Sequence, residues 1–205
     1  MSSAEMSRRL TTQEYLDLER TSDVKHEFYQ GQITAMSGAR VAHVAIVRNL
    51  SRQLDTRFDG SLCQVFTNDL RVLVDPLGFY TYPDLVVVCG ELQLAPDQFD
   101  SLLNPVVIVE VLSESTERED RGEKFRRYRE LESLRTYVMI SQRTMSVEWY
   151  DRNAPDDPAT WTFHSASRPD DVLRLTALAV PVVIPLSAIY ARVDLEPEPP
   201  APEAT

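Results

Sequence analysis

Two stretches decide the fold: Tyr82-Pro83-Asp84-Leu85-Val86-Val87-Val88 and Val106-Val107-Ile108-Val109-Glu110-Val111-Leu112. Both are short, rich in β-branched residues and apolar almost throughout. Such runs are expected of central strands covered on both faces. Each also carries one acid, Asp84 at the head of its strand and Glu110 inside its own. A carboxylate at a buried strand is costly unless something pairs with it. Two of them on neighbouring strands repel each other. A divalent cation between them removes both problems and gives them a use.

Around these runs, strands and helices interleave, which indicates one mixed α/β domain. Residues 11–19 read as a short helix, capped by Thr11 or Thr12 with Glu14 as its acidic first-turn partner. Residues 28–36 read as a hairpin turning at Gln30-Gly31-Gln32. A long helix is expected over 39–58, with His43, Val47, Leu50, Leu54 and Phe58 in one stripe. Strands are expected at 62–66, 70–74, 136–141 and 146–150, and weaker ones at 161–164 and 172–175. A helix is expected from 120 to about 131, with Phe125, Tyr128 and Leu131 on one face. The prolines of 180–185 demote that apolar run to an edge or an extended segment. Residues 1–10 are read as a flexible leader, 11–193 as the domain and 194–205 as a disordered, acidic, proline-rich tail.

The chain of 205 residues is 43% apolar, enough to bury a core without staples. No apolar run approaches the ~20 residues that cross a bilayer, and the first residues carry no secretory h-region. A cytoplasmic location is therefore expected, with no membrane partner. Cys63 and Cys89 lack metal-ligand spacing and are read as reduced core thiols. The net charge of −11 argues against indiscriminate nucleic-acid coating. It does not exclude a nuclease, whose metal site needs acids and whose substrate needs only a local basic face. The clear basic concentration lies at 118–135, with seven basic against five acidic residues.

Every candidate has an ordinary alternative. Asp84 could be a strand-end aspartate satisfied by backbone amides. Glu110 could pair with a core-edge Arg or Lys. Lys124 could form a solvated i,i+4 pair with Asp120. His43, heading an apolar stripe, is by default a satisfied core or helix-end histidine. No serine–histidine arrangement supports a covalent nucleophile. Together, two strand carboxylates followed by a helix lysine suit metal-assisted hydrolysis, with Mg²⁺ or Mn²⁺ on the carboxylates and the lysine orienting the attacking water.

These residues also carry a resemblance. Pro83-Asp84-Leu85, Glu110-Val111-Leu112-Ser113 and Asp120-Arg121-Gly122-Glu123-Lys124 with Tyr128 are its specific part. Tyr15-Leu16, Glu27-Phe28 with Gly31, His43, and Asp69 with Arg71-Val72 add to it. The chain resembles the Uma2 family, a bacterial branch of the PD-(D/E)XK restriction-endonuclease-like superfamily, over roughly 10–193. The resemblance implies a restriction-endonuclease-like core, a central mixed β-sheet flanked by α-helices. It implies that Asp84 and Glu110 bind the metal, with the Val111 carbonyl as a further ligand, and that Glu27 completes the acidic pocket. The superfamily lysine two residues after the acid is Leu112 here, and the resemblance implies that Lys124 supplies it from the following helix. DNA as substrate and a homodimer are expectations of the resemblance alone. Two rivals stay open: a non-catalytic binding or regulatory module that keeps the nuclease fold, and a hydrolase of small phosphorylated substrates.

Overall fold

The structure is a computed structural model that describes residues 9–75, 78–96, 101–114, 116–153, 160–178 and 180–195. Most of the expected leader and tail (1–8 and 196–205) and most of the 153–159 loop lie outside the described residues.

The chain opens with helix α1 (Thr12–Glu19). Thr11 caps it: its hydroxyl accepts the Glu14 N–H at 3.2 Å, and its own N–H donates to the Glu14 carboxylate at 2.8 Å. The hairpin β1 (His26–Tyr29) and β2 (Gln32–Ala35) follows. Its two-residue turn needs left-handed backbone at both positions, and Gln30 (φ 48°) and Gly31 (φ 84°) provide it. A side chain at Gly31 would also collide with Arg9, whose Cβ would lie 2.6 Å away. Leu10 donates its N–H to the Gly31 carbonyl at 2.8 Å and packs on the small Tyr15–Phe28–Tyr80 core.

Helix α2 (Val41–Phe58) buries Ile46, Val47, Leu50, Leu54 and Phe58, close to the expected stripe. After it come β3 (Cys63–Thr67), β4 (Val72–Leu73), β5 (Tyr80–Thr81), β6 (Leu85–Cys89) and β7 (Val107–Leu112). The helix expected from 120 starts earlier and is built in three parts. These are α3 (Glu117–Glu119), a π-helical turn (Asp120–Lys124) and α4 (Phe125–Tyr128). Strands β8 (Thr136–Ser141), β9 (Val147–Arg152), β10 (Trp161–Ala166), β11 (Val172–Leu175) and β12 (Val182–Pro185) complete the chain with α5 (Leu186–Ile189).

The main sheet has the order β10-β9-β8-β7-β6-β3. β7 and β8 run parallel and the other pairs antiparallel, so the sheet is mixed. β2-β1-β5-β4 form a second sheet, and β11-β12 a ribbon. Among the described residues, proline-bearing β12 pairs with β11 alone, as an edge strand does. One face of the main sheet packs on α2, the ribbon and α5, through Val87, Val109, Val138 and Ile140. The other face packs through Val86, Ile108, Leu112 and Met139 on Tyr128, Leu131 and Phe79. The central strands are thus covered twice, which explains their unbroken apolar sequence.

One expectation is corrected. Cys63 and Cys89 are not separate reduced thiols but a disulfide. The antiparallel β3–β6 register sets them directly opposite each other, with Cα atoms 3.9 Å apart. A separation of 26 residues hides that proximity in the sequence. Among the described residues, no helix is long and apolar enough to cross a membrane.

Candidate active site

The β6–β7 register pairs Leu85 with Val109. Asp84 immediately precedes β6, and its carboxylate reaches the Val111 N–H next to Glu110, so the two acids lie close together. Glu110 lies on the face covered by the π-turn and α4, where Tyr128 and Lys124 meet it, and Asp84 is met by His43 from α2. The pairing of β6 with β7 therefore brings the two acids to the same end of neighbouring strands.

Each oxygen of Asp84 has a partner. Oδ1 lies 2.9 Å from His43 Nε2, and Oδ2 accepts the Val111 N–H at 2.7 Å. The backbone-amide alternative thus accounts for half of this carboxylate and a histidine for the other half. Each oxygen keeps a further lone-pair direction. In a strand, a residue's N–H and C=O point to the same edge. The Val111 carbonyl therefore faces the Asp84 side of β7, beyond the last β6–β7 pair.

Glu110 Oε1 accepts the Tyr128 hydroxyl at 2.7 Å and lies 3.5 Å from Lys124 Nζ. Lys124 Nζ also lies 2.9 Å from Glu27 Oε1 and 3.1 Å from Asp120 Oδ1. Glu27 projects from β1 in the second sheet, and its Oε1 accepts the Thr81 hydroxyl of β5 at 2.6 Å. The i,i+4 pair of Asp120 and Lys124 exists, but it is buried instead of solvated: Asp120 is 1% exposed and Lys124 5%. The widened π-turn directs both residues at the sheet. It is fastened to β8 by the Tyr137 hydroxyl, which donates to the Asp120 carbonyl at 3.0 Å. Such turns recur at functional sites.

The electrostatics follow from burial. Burial drives the Glu110 carboxyl well above its usual range; Lys124 opposes this, and the charges of Asp120, Asp84 and Glu27 add to it. Burial likewise raises Asp120, against the pull of Lys124 and Thr116. For Lys124, burial acts downward, but Glu110, Tyr128, Glu27 and Asp120 outweigh it and hold the amine well above its usual value. Lys124 is thus an ammonium ringed by carboxylates, which remain in excess.

The donor set fits a hard divalent cation. Mg²⁺ is held through one or two carboxylates, with water and substrate completing its shell, and Asp84, Glu110 and the Val111 carbonyl are all oxygen donors. No cluster of three or more His, Cys, Asp or Glu arranged to hold a metal occurs among the described residues.

All four side chains singled out in the sequence, Asp84, Glu110, Lys124 and Glu27, are brought to one locality. Two more belong to it. His43 contacts Asp84 from the first turns of α2, and Asp120 contacts Lys124. No local pattern announces the His43 contact, because 41 residues separate the partners. The Asp120 spacing was visible, but its burial was not. Tyr128→Phe should lower stability by about 1–3 kcal/mol, since Glu110 loses its shortest hydrogen bond while remaining buried. Urea unfolding checks this; an unchanged midpoint would mean the hydroxyl is idle.

Two Synechocystis proteins, described as "Uncharacterized protein slr1290" and "Uncharacterized protein sll1609", are each 34% identical to the chain. The first matches over 78% of this chain and 83% of its own length, the second over 70% and 81%. A crystal structure from Anabaena variabilis, described as "a putative nuclease belonging to DUF820", superposes with a TM-score of 0.71 at 15% identity. That match covers 89% of this chain and 98% of the other, and at this identity it speaks for the fold, which is restriction-endonuclease-like. The Uma2 family model, described as "Putative restriction endonuclease", matches residues 12–187, and the chain belongs to this family.

Proposed function

We propose that the chain is a Mg²⁺- or Mn²⁺-dependent endonuclease that hydrolyses DNA phosphodiester bonds. The observation that carries the reading is the placement of Lys124. Leu112 fills the position where the superfamily motif has its lysine, yet Lys124 Nζ reaches 3.5 Å from Glu110 by way of the π-turn. A divalent cation held by Asp84, Glu110 and the Val111 carbonyl would supply Lewis acidity and screen the phosphate charge. Lys124 orients the attacking water and offsets charge developing on the phosphoryl oxygens. Glu27, Asp120 and Thr81 keep the lysine in place, and His43 with the Val111 N–H fixes the Asp84 carboxylate. Cutting both strands of a duplex needs two such sites, which a homodimer would supply.

The test is calorimetric Mn²⁺ and Mg²⁺ binding to the wild type, Asp84→Ala and Glu110→Ala, with plasmid nicking on the same samples. Binding and nicking that vanish together in the variants are expected. Wild-type protein that binds neither ion would sink the reading in favour of the non-catalytic module.

A further inference from the structure

Four of the seven basic residues at 118–135 are paired or buried in the fold, and Arg118, Arg129 and Arg135 are exposed. Arg121 pairs with Glu117 and Glu148, Arg126 and Arg127 pair with Glu123, and Lys124 is buried. A second set of exposed basic side chains lies on α2. There a groove of about 420 Å³ is lined by His43, Arg48, Ser51, Arg52, Thr67 and Asn68, with Val44 and Val47 in its wall. Its volume is in the range of ligand clefts, about 300–1,000 Å³. Arg48 and Arg52 are exposed. Arg48 donates to the neighbouring Asn49 side chain at 3.1 Å. One carboxylate, Asp55, also lines the groove, and the Ser51 hydroxyl lies 3.4 Å from it. Asp55 sits about 18 Å along the helix axis from His43, at the remote end.

The near end opens on the candidate active site through two separate contacts. His43 lines the groove and bonds Asp84 Oδ1 at 2.9 Å. Asn68 lines it too, and its backbone N–H donates to the Asp84 carbonyl at 3.1 Å.

We infer that this α2–β3 groove holds the sugar-phosphate backbone of a polynucleotide strand and leads it past His43 to Asp84. The inference rests on the nuclease reading and adds where the strand lies. Arg48 and Arg52 are one helical turn apart, about 6 Å along the axis, a spacing suited to neighbouring phosphates of an extended strand. Ser51, Thr67 and Asn68 offer hydroxyl and amide donors of the kind that position phosphates. A chain of net charge −11 repels a polyanion over most of its surface, so a local pair of guanidinium groups beside the acids favours a strand settling there.

The test is fluorescence anisotropy of labelled single-stranded and duplex oligonucleotides in EDTA, where no cutting occurs. Arg48→Glu/Arg52→Glu should weaken binding at least about tenfold and flatten the slope of log K against log salt by roughly 1.4, two single-strand phosphates' worth. The exposed control Arg118→Glu should leave binding within about twofold. Preference between the two oligonucleotides tells which form supplies the strand. A protein that binds through Arg48 and Arg52 but never cuts keeps the groove and loses the nuclease. A protein that cuts while its binding ignores the double reversal loses the groove and keeps the nuclease. A wild type that binds neither oligonucleotide also overturns the groove.

Discussion

Lys124→Met is expected to lower the free energy of unfolding by about 3–5 kcal/mol, the cost of removing one partner from a buried ionic cluster, and to abolish nicking. The ammonium lies within 3.5 Å of Glu27, Asp120 and Glu110. Methionine fills similar space and leaves three carboxylates without their shared cation. Burial already holds Glu110 and Asp120 above the usual carboxylate range, and losing the lysine drives them higher. A group whose folded value exceeds its unfolded one stabilises fully below the unfolded value, about 4 for these acids. It loses that contribution as pH rises through the folded value. The deficit should therefore be smallest near about pH 5 and grow toward about pH 8, as read by urea unfolding at both. Lys124→Arg should regain much of the stability but not the nicking, because a planar guanidinium cannot replace a compact ammonium at a water. Equal deficits for methionine at both pH values would contradict the charge account.

Glu110→Gln should separate fold from function. The amide oxygen still accepts the Tyr128 hydroxyl, and one of four crowded carboxylates is gone. In EDTA the variant should be at least as stable as the wild type, with its advantage growing as pH rises, since the wild-type carboxyl is the one burial pushes up. With Mn²⁺ added, the order should reverse. A ligand at about 100 times its Kd stabilises by about 2.7 kcal/mol, and only the wild type should gain this. Cleavage should fall by a factor on the order of 10²–10³, the usual loss when a preorganised electrostatic group is removed. Thermal melts with and without Mn²⁺ decide it. A variant that still gains from Mn²⁺, or melts far below the wild type in EDTA, would make Glu110 a structural residue.

Much of this was legible in the chain. The unbroken apolar runs at β6 and β7 require cover on both faces, so they announced the centre of the sheet and made Asp84 and Glu110 conspicuous. The α2 stripe and the Thr11–Glu14 cap were readable because helix periodicity and capping are local. What the sequence determined by itself is whatever short-range geometry and burial pattern encode: the α/β class, the central strands, the long helix and the two strand acids. The tertiary structure decided the rest. Strand register joined Cys63 to Cys89, and the β6–β7 pairing brought Asp84 close to Glu110. The π-turn, which no spacing rule announces, turned Lys124 and Asp120 inward. Packing of α2 against the sheet brought His43 to Asp84 from 41 residues away. The ion pair with Glu148 of β9 took up the charge of Arg121. Each of these depends on contacts between elements distant in sequence, and their energies are set by burial and charge pairing that a one-dimensional pattern does not contain.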